Sequence, residues 1–248
     1  MKLFRKLRRN LIAFGKFKSY LVYAIGEIIL IVIGISIAWK INDLNDIRKN
    51  NIVEQKIYNN LNEELNTNLH VLNAVIDEYP KSITYLENTL KYVGKPTNEL
   101  SKGAKDTLVN MINKEVSLLD SSINSIVNTT KFEIIESVDL KDLIAIYPSK
   151  IKVFTKQDEK IRAIIADRVK PVLEKHISLA DLLSNENLNY KHIKEFGSKS
   201  DYSGLLKNKE YQNSIIDRLL QTEIQLNNAK VLRGKTKLLI TKLKEELE

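Results

Sequence analysis

The sequence predicts an all-α protein in which an N-terminal amphipathic helix and one transmembrane helix are followed by an irregular antiparallel helical bundle. Residues 20–39 are almost entirely apolar and contain one charge, Glu27. Residues before this run place basic and apolar side chains with the period of a helix. From residue 40 onward, apolar residues recur every three or four positions between Glu, Asn and Lys. We therefore predict three regions: a basic helix over 1–18, a membrane span over 20–39, and a helical domain over 40–248.

The run over residues 20–39 has the length and the flanks of a membrane-spanning helix. Twenty helical residues extend about 30 Å, the thickness of the hydrocarbon core of a bilayer. Tyr20 and Trp39 mark its two edges, as interfacial aromatic residues do. A signal peptide cleaved after Ala38 is the alternative, but the length of the run and the charge of Glu27 favour an uncleaved anchor.

The segment before the span carries seven basic residues and no acidic one among residues 1–18. Such flanking charge stays on the cytoplasmic side, so we expect the N-terminus inside the cell and residues 40–248 outside it. On a helical projection the basic face consists of Lys2, Arg5, Lys6, Arg9 and Lys16. The opposite face is apolar, so membrane lipids are the expected partner. Two roles are open for this basic helix. In one it only fixes the orientation of the chain in the membrane and adheres to the bilayer; in the other it also binds a cytoplasmic partner.

The net charge of +8 does not indicate nucleic-acid binding, because the excess of basic residues is concentrated near the N-terminus. Residues 40–248 contain 32 basic and 30 acidic residues and are nearly neutral. The basic excess lies beside the apolar run, where it meets anionic lipid. A nucleic-acid partner is therefore not expected.

The first half of the helical domain contains one long predicted helix. It leaves the membrane and runs to about Tyr79, where Pro80 either kinks it or starts the next helix. That helix is expected to end before Gly94. Residues 94–103 are predicted to form a loop because they contain two glycines and a proline.

The remainder of the domain is predicted to be helical in shorter pieces until a long final helix over 208–247. The boundary residues are Asp139, which can cap a helix beginning near Leu140, and two prolines that should divide the following stretch. The predicted features, in chain order, are helices at 104–114 and 119–129, an extended piece at 131–136, breaks at Pro148 and Pro171, and a loop-like region at 184–204. The final helix keeps an apolar seam that Thr222, Arg233 and Thr236 are expected to loosen.

Glu27 is the residue of the span with the clearest functional potential. It lies roughly 10 Å into the span by helical rise, where an ionised carboxylate is costly and should be protonated, paired or in contact with water. The residues that share its face include small ones, whose spacing lets helices approach closely: Tyr20, Ala24, Gly34 and Ala38. We predict that this face packs against another helix, in a homo-oligomer or a hetero-complex. The alternatives are a carboxyl that snorkels to the interface and a proton or ion relay.

Three stretches of the chain resemble a family of flavobacterial and related Bacteroidota membrane proteins of uncharacterised activity. These stretches are Tyr23–Ile28, Val32–Ile35 and Trp39–Asn45, which correspond to that family's YAIGEI…IGI…IN membrane motif. Softer similarity continues into the helical domain. The resemblance implies a protein of the bacterial inner membrane with a periplasmic domain, and it implies no catalytic residues, metal or cofactor.

No residue pattern in the chain indicates an enzyme. Cysteine is absent, the three histidines lack metal-ligand spacing, and the pair Glu63 and Glu64 has the pattern of a solvated helix face. No cofactor is expected. The sequence favours a non-enzymatic, membrane-anchored helical interaction or scaffold protein, or a sensor-like protein, whose partner is an unknown envelope protein. The alternative is an accessory subunit of a transport, channel or proton-coupled complex that uses Glu27.

Overall fold

The structure is a computed structural model that describes residues 17–96, 98, 100–109, 115–183 and 191–247. It is 87% helical, and no strand occurs among these residues, so the all-α prediction is confirmed. The basic helix predicted over 1–18, with Lys2, Arg5, Lys6, Arg9 and Lys16, lies almost wholly outside the described residues. The chain separates into two units, Met1–Lys56 and Ile57–Glu248.

Nine α-helices account for most of the described chain. They are α1 Phe17–Lys91, α2 Lys102–Val109, α3 Ser121–Val127, α4 Lys131–Ile134, α5 Val138–Ile164, α6 Lys170–His176, α7 Lys191–Phe196, α8 Tyr202–Lys207 and α9 Lys209–Leu247. A π-helical turn at Ile165–Val169 joins α5 to α6, and a 3₁₀ turn at Leu179–Leu182 follows α6.

The first helix, α1, is 75 residues long and continues through Pro80. A proline in a helix interior costs about 3 kcal/mol or more, and the burial of Ile76, Tyr79 and Leu86 on either side of it offsets that cost. The helix ends before Gly94 as predicted. Gly94 has a φ of 82°, the left-handed conformation that glycine adopts most readily after a helix C-terminus.

The second unit is a bundle in which α9 runs antiparallel to both α1 and α5. Tyr147 and Gln157 of α5 bond to Thr236 and Gln221 of α9, and Arg168, in the π-helical turn that follows α5, bonds to Asp217. The residue numbers of the α9 partners therefore fall as those of α5 and the turn rise. Along α1, Tyr79 lies beside Gln225 and Tyr85 lies near Arg218, with the same reversed order. The predicted antiparallel arrangement of the first and last helices is therefore confirmed.

Two apolar clusters form the core of the bundle. One draws on Ile57–Tyr79 of α1, Ile123–Phe154 and Ala229–Leu243. The other draws on Leu86–Val109, Ile164–Ile177 and Leu205–Ile215. Buried polar side chains, among them Asp158, Arg218 and Gln225, lie between these two sets along the helices.

The predicted extended piece at 131–136 is wrong for its first four residues, although Ile135 has an extended backbone. Residues 131–134 form α4, because the N–H groups of Phe132 and Glu133 donate to the carbonyls of Thr129 and Thr130. The predicted cap is also displaced. Helix α5 begins at Val138 after Ser137. Asp139 lies inside the first turn, where its negative charge interacts favourably with the positive end of the helix dipole.

Pro148 does not divide the chain as predicted, because it lies inside α5. Tyr147 and Ile151, on either side of it, are buried and hold the helix against the bundle. Pro171 does mark a change, since it follows the π-helical turn at the start of α6.

The predicted boundaries elsewhere agree in part. The final helix is confirmed as α9, and α3 lies within the predicted 119–129. Helix α2 begins at Lys102, and residues 110–114 of the helix predicted there lie outside the described chain. The region 184–204 is not simply a loop, since α7 and the start of α8 lie within it.

Candidate functional site

The predicted membrane-facing residues lie together on α1. Among the described residues, one helix near the N-terminus is long and apolar enough to cross a membrane, and no residue of its most apolar window is buried within the chain. Gly34 and Ala38 are exposed, whereas Ala24 and Glu27 are half-buried. A Cβ atom added at Gly34 would meet no atom within 4 Å. Tyr20 lies on the same helix.

A buried carboxylate and an amide of α1 anchor the segment that leads into α3. The Glu64 carboxylate accepts hydrogen bonds from the N–H groups of Ser122 at 2.7 Å and Ile123 at 3.2 Å, and from the Ser121 hydroxyl at 3.3 Å. One turn later, the Asn68 amide donates to the carbonyl of Leu119 and accepts from its N–H, both at 2.7 Å. The Glu64 bonds satisfy two N–H groups that the N-terminus of α3 leaves unpaired, and the Asn68 bonds hold the residue before its N-cap.

The prediction that Glu63 and Glu64 form a solvated face is wrong for Glu64, which is 5% exposed. Glu63 is exposed as predicted. The difference follows from the helical period, because Glu64 lies on the buried face with Leu61, Leu65 and Asn68, and its neighbour does not. The sequence did indicate this site, because a polar residue stands where the helical period predicts a buried side chain.

Two adjoining depressions flank this anchor. Their cavity volumes are about 320 Å³ and about 240 Å³, and both include Asn60, Ser121 and Ser122 in their walls. The other lining groups are mainly polar: Glu63, Glu64, Thr67, Ser125 and Lys131. The groove offers hydroxyl and amide groups for hydrogen bonding. Its buried carboxylate is already occupied by the α3 N-terminus, so it is not poised as a general base.

A buried polar layer crosses the bundle at Tyr79, Asp158 and Gln225. Gln225 donates through Nε2 to the carbonyl of Phe154 at 3.1 Å, and the Asp158 carboxylate lies 3.2 Å from Nε of Arg162. The Tyr79 hydroxyl lies beside Gln225, although neither it nor Gln225 Oε1 has a hydrogen bond of normal geometry within the described chain.

Burial dominates the electrostatics of this layer and its surroundings. It raises the pKa of Tyr79 to about 12; the adjacent Gln225 side chain opposes this shift, and the negative charge of Asp158 reinforces it. Burial likewise raises the pKa of Tyr211, whose hydroxyl donates to the carbonyl of Leu108 at 2.8 Å. It lowers the pKa of Arg218, which stays charged at neutral pH. These tyrosines are therefore neutral hydrogen-bonding groups at physiological pH.

Thr222 and Thr236 do not loosen the α9 seam as predicted, since both are buried. Each hydroxyl donates to the carbonyl four residues earlier, and that of Thr236 also meets the Tyr147 hydroxyl at 2.8 Å. A short polar side chain can occupy a seam when the helix itself satisfies its hydroxyl.

The histidines occupy unrelated surroundings. His176 lies 3.8 Å from Asp201 and 3.3 Å from the Asn208 amide, His192 packs against Phe196, and His70 is exposed on α1. Within the residues that the structure describes, no three His, Asp or Glu side chains are grouped to hold a metal ion. The expectation that the protein needs no metal or cofactor stays a prediction.

No family model, curated protein or solved structure matches this chain. The resemblance to the Bacteroidota membrane proteins accordingly stays a prediction that rests on the membrane motif.

Proposed function

We propose that this chain is a non-enzymatic, membrane-anchored interaction protein of the bacterial cell envelope, acting as a scaffold or in a sensor-like role. In this proposal the basic N-terminus is cytoplasmic, residues 20–39 cross the inner membrane, and the bundle is periplasmic. Lipids contact the basic segment and the span, and the bundle presents its surface to an envelope protein.

The proposal rests on the hydrogen bonds that the buried polar side chains of the bundle make. Glu64, Asn68 and the Nε2 group of Gln225 each bond to backbone groups that are distant in sequence. Such groups hold a shape and are not free to exchange protons with a substrate. The first helix of this bundle also carries the apolar run. This arrangement supports a bundle that is tethered to the membrane and binds a partner, rather than one that catalyses a reaction.

Purification of the full chain from membranes in a mild detergent tests the proposal. We expect a soluble envelope protein to co-purify in fixed ratio and to be lost when surface residues of the bundle are changed. A chain recovered entirely in the soluble fraction would overturn the anchor, and turnover of a substrate that depends on a bundle residue would overturn the non-enzymatic role.

The second candidate is an accessory subunit of a transport, channel or proton-coupled complex. It is favoured by one observation, the placement of Glu27 as the single charge of an otherwise apolar run. Intramembrane carboxyl groups of this kind mark ion or proton paths. A multi-span partner present in fixed ratio, with transport lost in Glu27→Gln, would select this candidate over the first.

A further inference from the structure

Helix α9 carries aliphatic side chains on the side that faces away from the bundle core. Five of them are between 41% and 50% exposed: Ile216, Leu220, Ile224, Val231 and Leu238. At about 100° per residue they fall within about 80° of one another, and the centre of the buried face of α9 lies about 150° away. We call these five residues the outer stripe, which extends about 33 Å along the helix.

The outer stripe has the seven-residue repeat of a helix that packs along a second helix. Ile224, Val231 and Leu238 are seven residues apart and take the a positions of a heptad, and Leu220 takes the d position before them. A row of side chains with this period fits between the side chains of a partner helix. The repeat therefore favours a helix as the occupant of this face.

The next two d positions are occupied by Asn227 and Gly234. A polar residue at one position of the seam fixes the register of a helix pair. Glycine in a helix interior is destabilising relative to alanine, and the bundle does not require it here, because a Cβ atom added at Gly234 would meet no atom within 4 Å. The bare backbone at Gly234 instead allows a partner to approach closely from outside.

Lysines occupy the positions that flank the outer stripe in its C-terminal half. Lys230 and Lys237 take the g positions, Lys235 and Lys242 take the e positions, and no acidic residue stands between them in the sequence. Lys242 pairs with Glu245 at 2.7 Å, whereas no acidic side chain of the described chain forms an ion pair with the other three lysines. Both flanks of this half are therefore basic.

A second copy of the chain does not complement this surface. Because α9 is antiparallel to α1, which carries the predicted span, two copies in one membrane would hold their α9 helices parallel. In a parallel pair, Lys230 would face Lys235 of the second copy, and Lys237 would face its Lys242. Such like-charge contacts select against pairing. The same lysines favour a partner that carries acidic residues at the flanking positions.

We propose that the outer stripe is the docking face for an acidic amphipathic helix of a partner envelope protein. Aliphatic side chains of that helix pack between Ile224, Val231 and Leu238, and glutamates or aspartates beside them pair with the four lysines. Gly234 accommodates the closest approach of the two helices. The inference rests on the proposed function, since it names the surface of the bundle that binds the envelope partner and the chemistry of that partner.

Binding of designed helices to the full chain tests this chemistry. The acidic probe is a fluorescent four-heptad peptide with leucine at a and d and glutamate at e and g, and the basic probe has lysine in place of each glutamate. The chain is held in nanodiscs of neutral phosphatidylcholine, and empty discs give the background. We expect the acidic probe to bind at least about tenfold more tightly than the basic probe, as measured by fluorescence anisotropy.

Two variants locate the binding on α9. Lys230→Glu combined with Lys235→Glu should reverse the preference, so that the basic probe binds more tightly. Gly234→Leu should weaken binding of the acidic probe at least about fivefold without lowering the thermal unfolding temperature, because leucine favours the helix and meets no atom of the chain. The matched control, Lys152→Glu combined with Lys160→Glu at exposed positions of α5, should keep the preference for the acidic probe.

Equal binding of the two probes, or a preference that Lys230→Glu with Lys235→Glu leaves unchanged, would overturn the inference. A photo-crosslinking amino acid in place of Leu238 then identifies the occupant in native membranes. An adduct with a second copy of the chain, or with lipid alone, would also overturn it, whereas an adduct with a different protein through an acidic helix agrees with it.

Membrane fractionation of the same samples separates this inference from the proposed function. A chain that stays in the membrane but shows no preference for the acidic probe contradicts only the docking face. A chain recovered in the soluble fraction contradicts the proposed anchor, whatever its probe preference.

Discussion

The two units of this chain satisfy their polar side chains in opposite ways. In the first unit, Lys40 pairs with Asp43 and Lys49 with Asp46, three residues apart on an exposed helix. In the bundle, Glu64 and Asn68 are buried and reach backbone groups more than fifty residues away. Exposed ion pairs contribute at most about 1 kcal/mol, whereas a buried group that loses its partner costs more. Loss of one of these distant polar contacts should therefore destabilise the bundle, whereas loss of an ion pair in the first unit should have little effect on stability.

The largest contrast is expected between two isoleucines of the same helix. Ile76→Ala should lower the free energy of unfolding by about 2–4 kcal/mol, because it opens a cavity in the bundle core. The matched change Ile47→Ala, at a residue of the first unit that is 47% exposed, should stay within about 0.5 kcal/mol. Denaturant unfolding of the full chain in detergent, followed by circular dichroism, measures both. Similar losses for the two variants would contradict the division into units.

The adjacent glutamates provide the next test. Glu64→Ala should cost about 2–3 kcal/mol, because it leaves the buried N–H group of Ile123 and the partly buried N–H group of Ser122 without an acceptor. Glu63→Ala, one residue away and exposed, serves as the control and should be nearly neutral. Amide hydrogen exchange should show the loss of protection concentrated in α3. If α3 keeps its protection in Glu64→Ala, the anchor is not what orders this segment.

Alkaline titration probes the buried layer. The folded pKa of Tyr79 is about 12 and its ordinary value is 10.0, so its stabilising contribution is present below pH 10 and is lost as the pH rises towards 12. Between those values the parent chain should lose about 1–3 kcal/mol more stability than Tyr79→Phe. Tyr92→Phe, at a half-buried position, is the control. If the stability of the parent and of the Tyr79→Phe chain changes identically with pH, the pKa of Tyr79 does not differ between the folded and the unfolded chain.

The smallest effect is expected for the ion pairs of the first unit. Asp43→Asn should change stability by no more than about 0.5 kcal/mol, because both partners are well exposed and the pair is screened by salt. Thermal unfolding at low and high salt measures the change. A loss above 1 kcal/mol would mean that this segment is held in place through its charges.

The helices and their order were predictable, whereas the polar contacts between them were not. The apolar run around Glu27 and the three- and four-residue spacing beyond it predicted the span and the long helices. Gly94 correctly marked the end of α1. These features are local, since a helical period and a left-handed glycine are properties of a few neighbouring residues.

The errors occurred where distant packing decided the outcome. Pro148 follows the rule for a helix breaker, but burial of Tyr147 and Ile151 keeps α5 intact. Glu63 and Glu64 are identical in type. The helical period puts Glu64 on the buried face, but its partners are N–H groups of α3, nearly sixty residues later, which the local pattern does not indicate. Thr236 was predicted to weaken a seam and instead bonds to Tyr147, 89 residues away.

Topological labelling tests the central claim most directly. Two single-cysteine chains are made, Lys6→Cys in the basic segment and Asp77→Cys on the exposed side of α1 in the bundle. They are treated with a membrane-impermeant maleimide before and after lysis of spheroplasts. We predict that Asp77→Cys is labelled before lysis and Lys6→Cys only afterwards. Labelling of Asp77→Cys only after lysis would contradict a membrane-anchored protein with its helical bundle outside the cell.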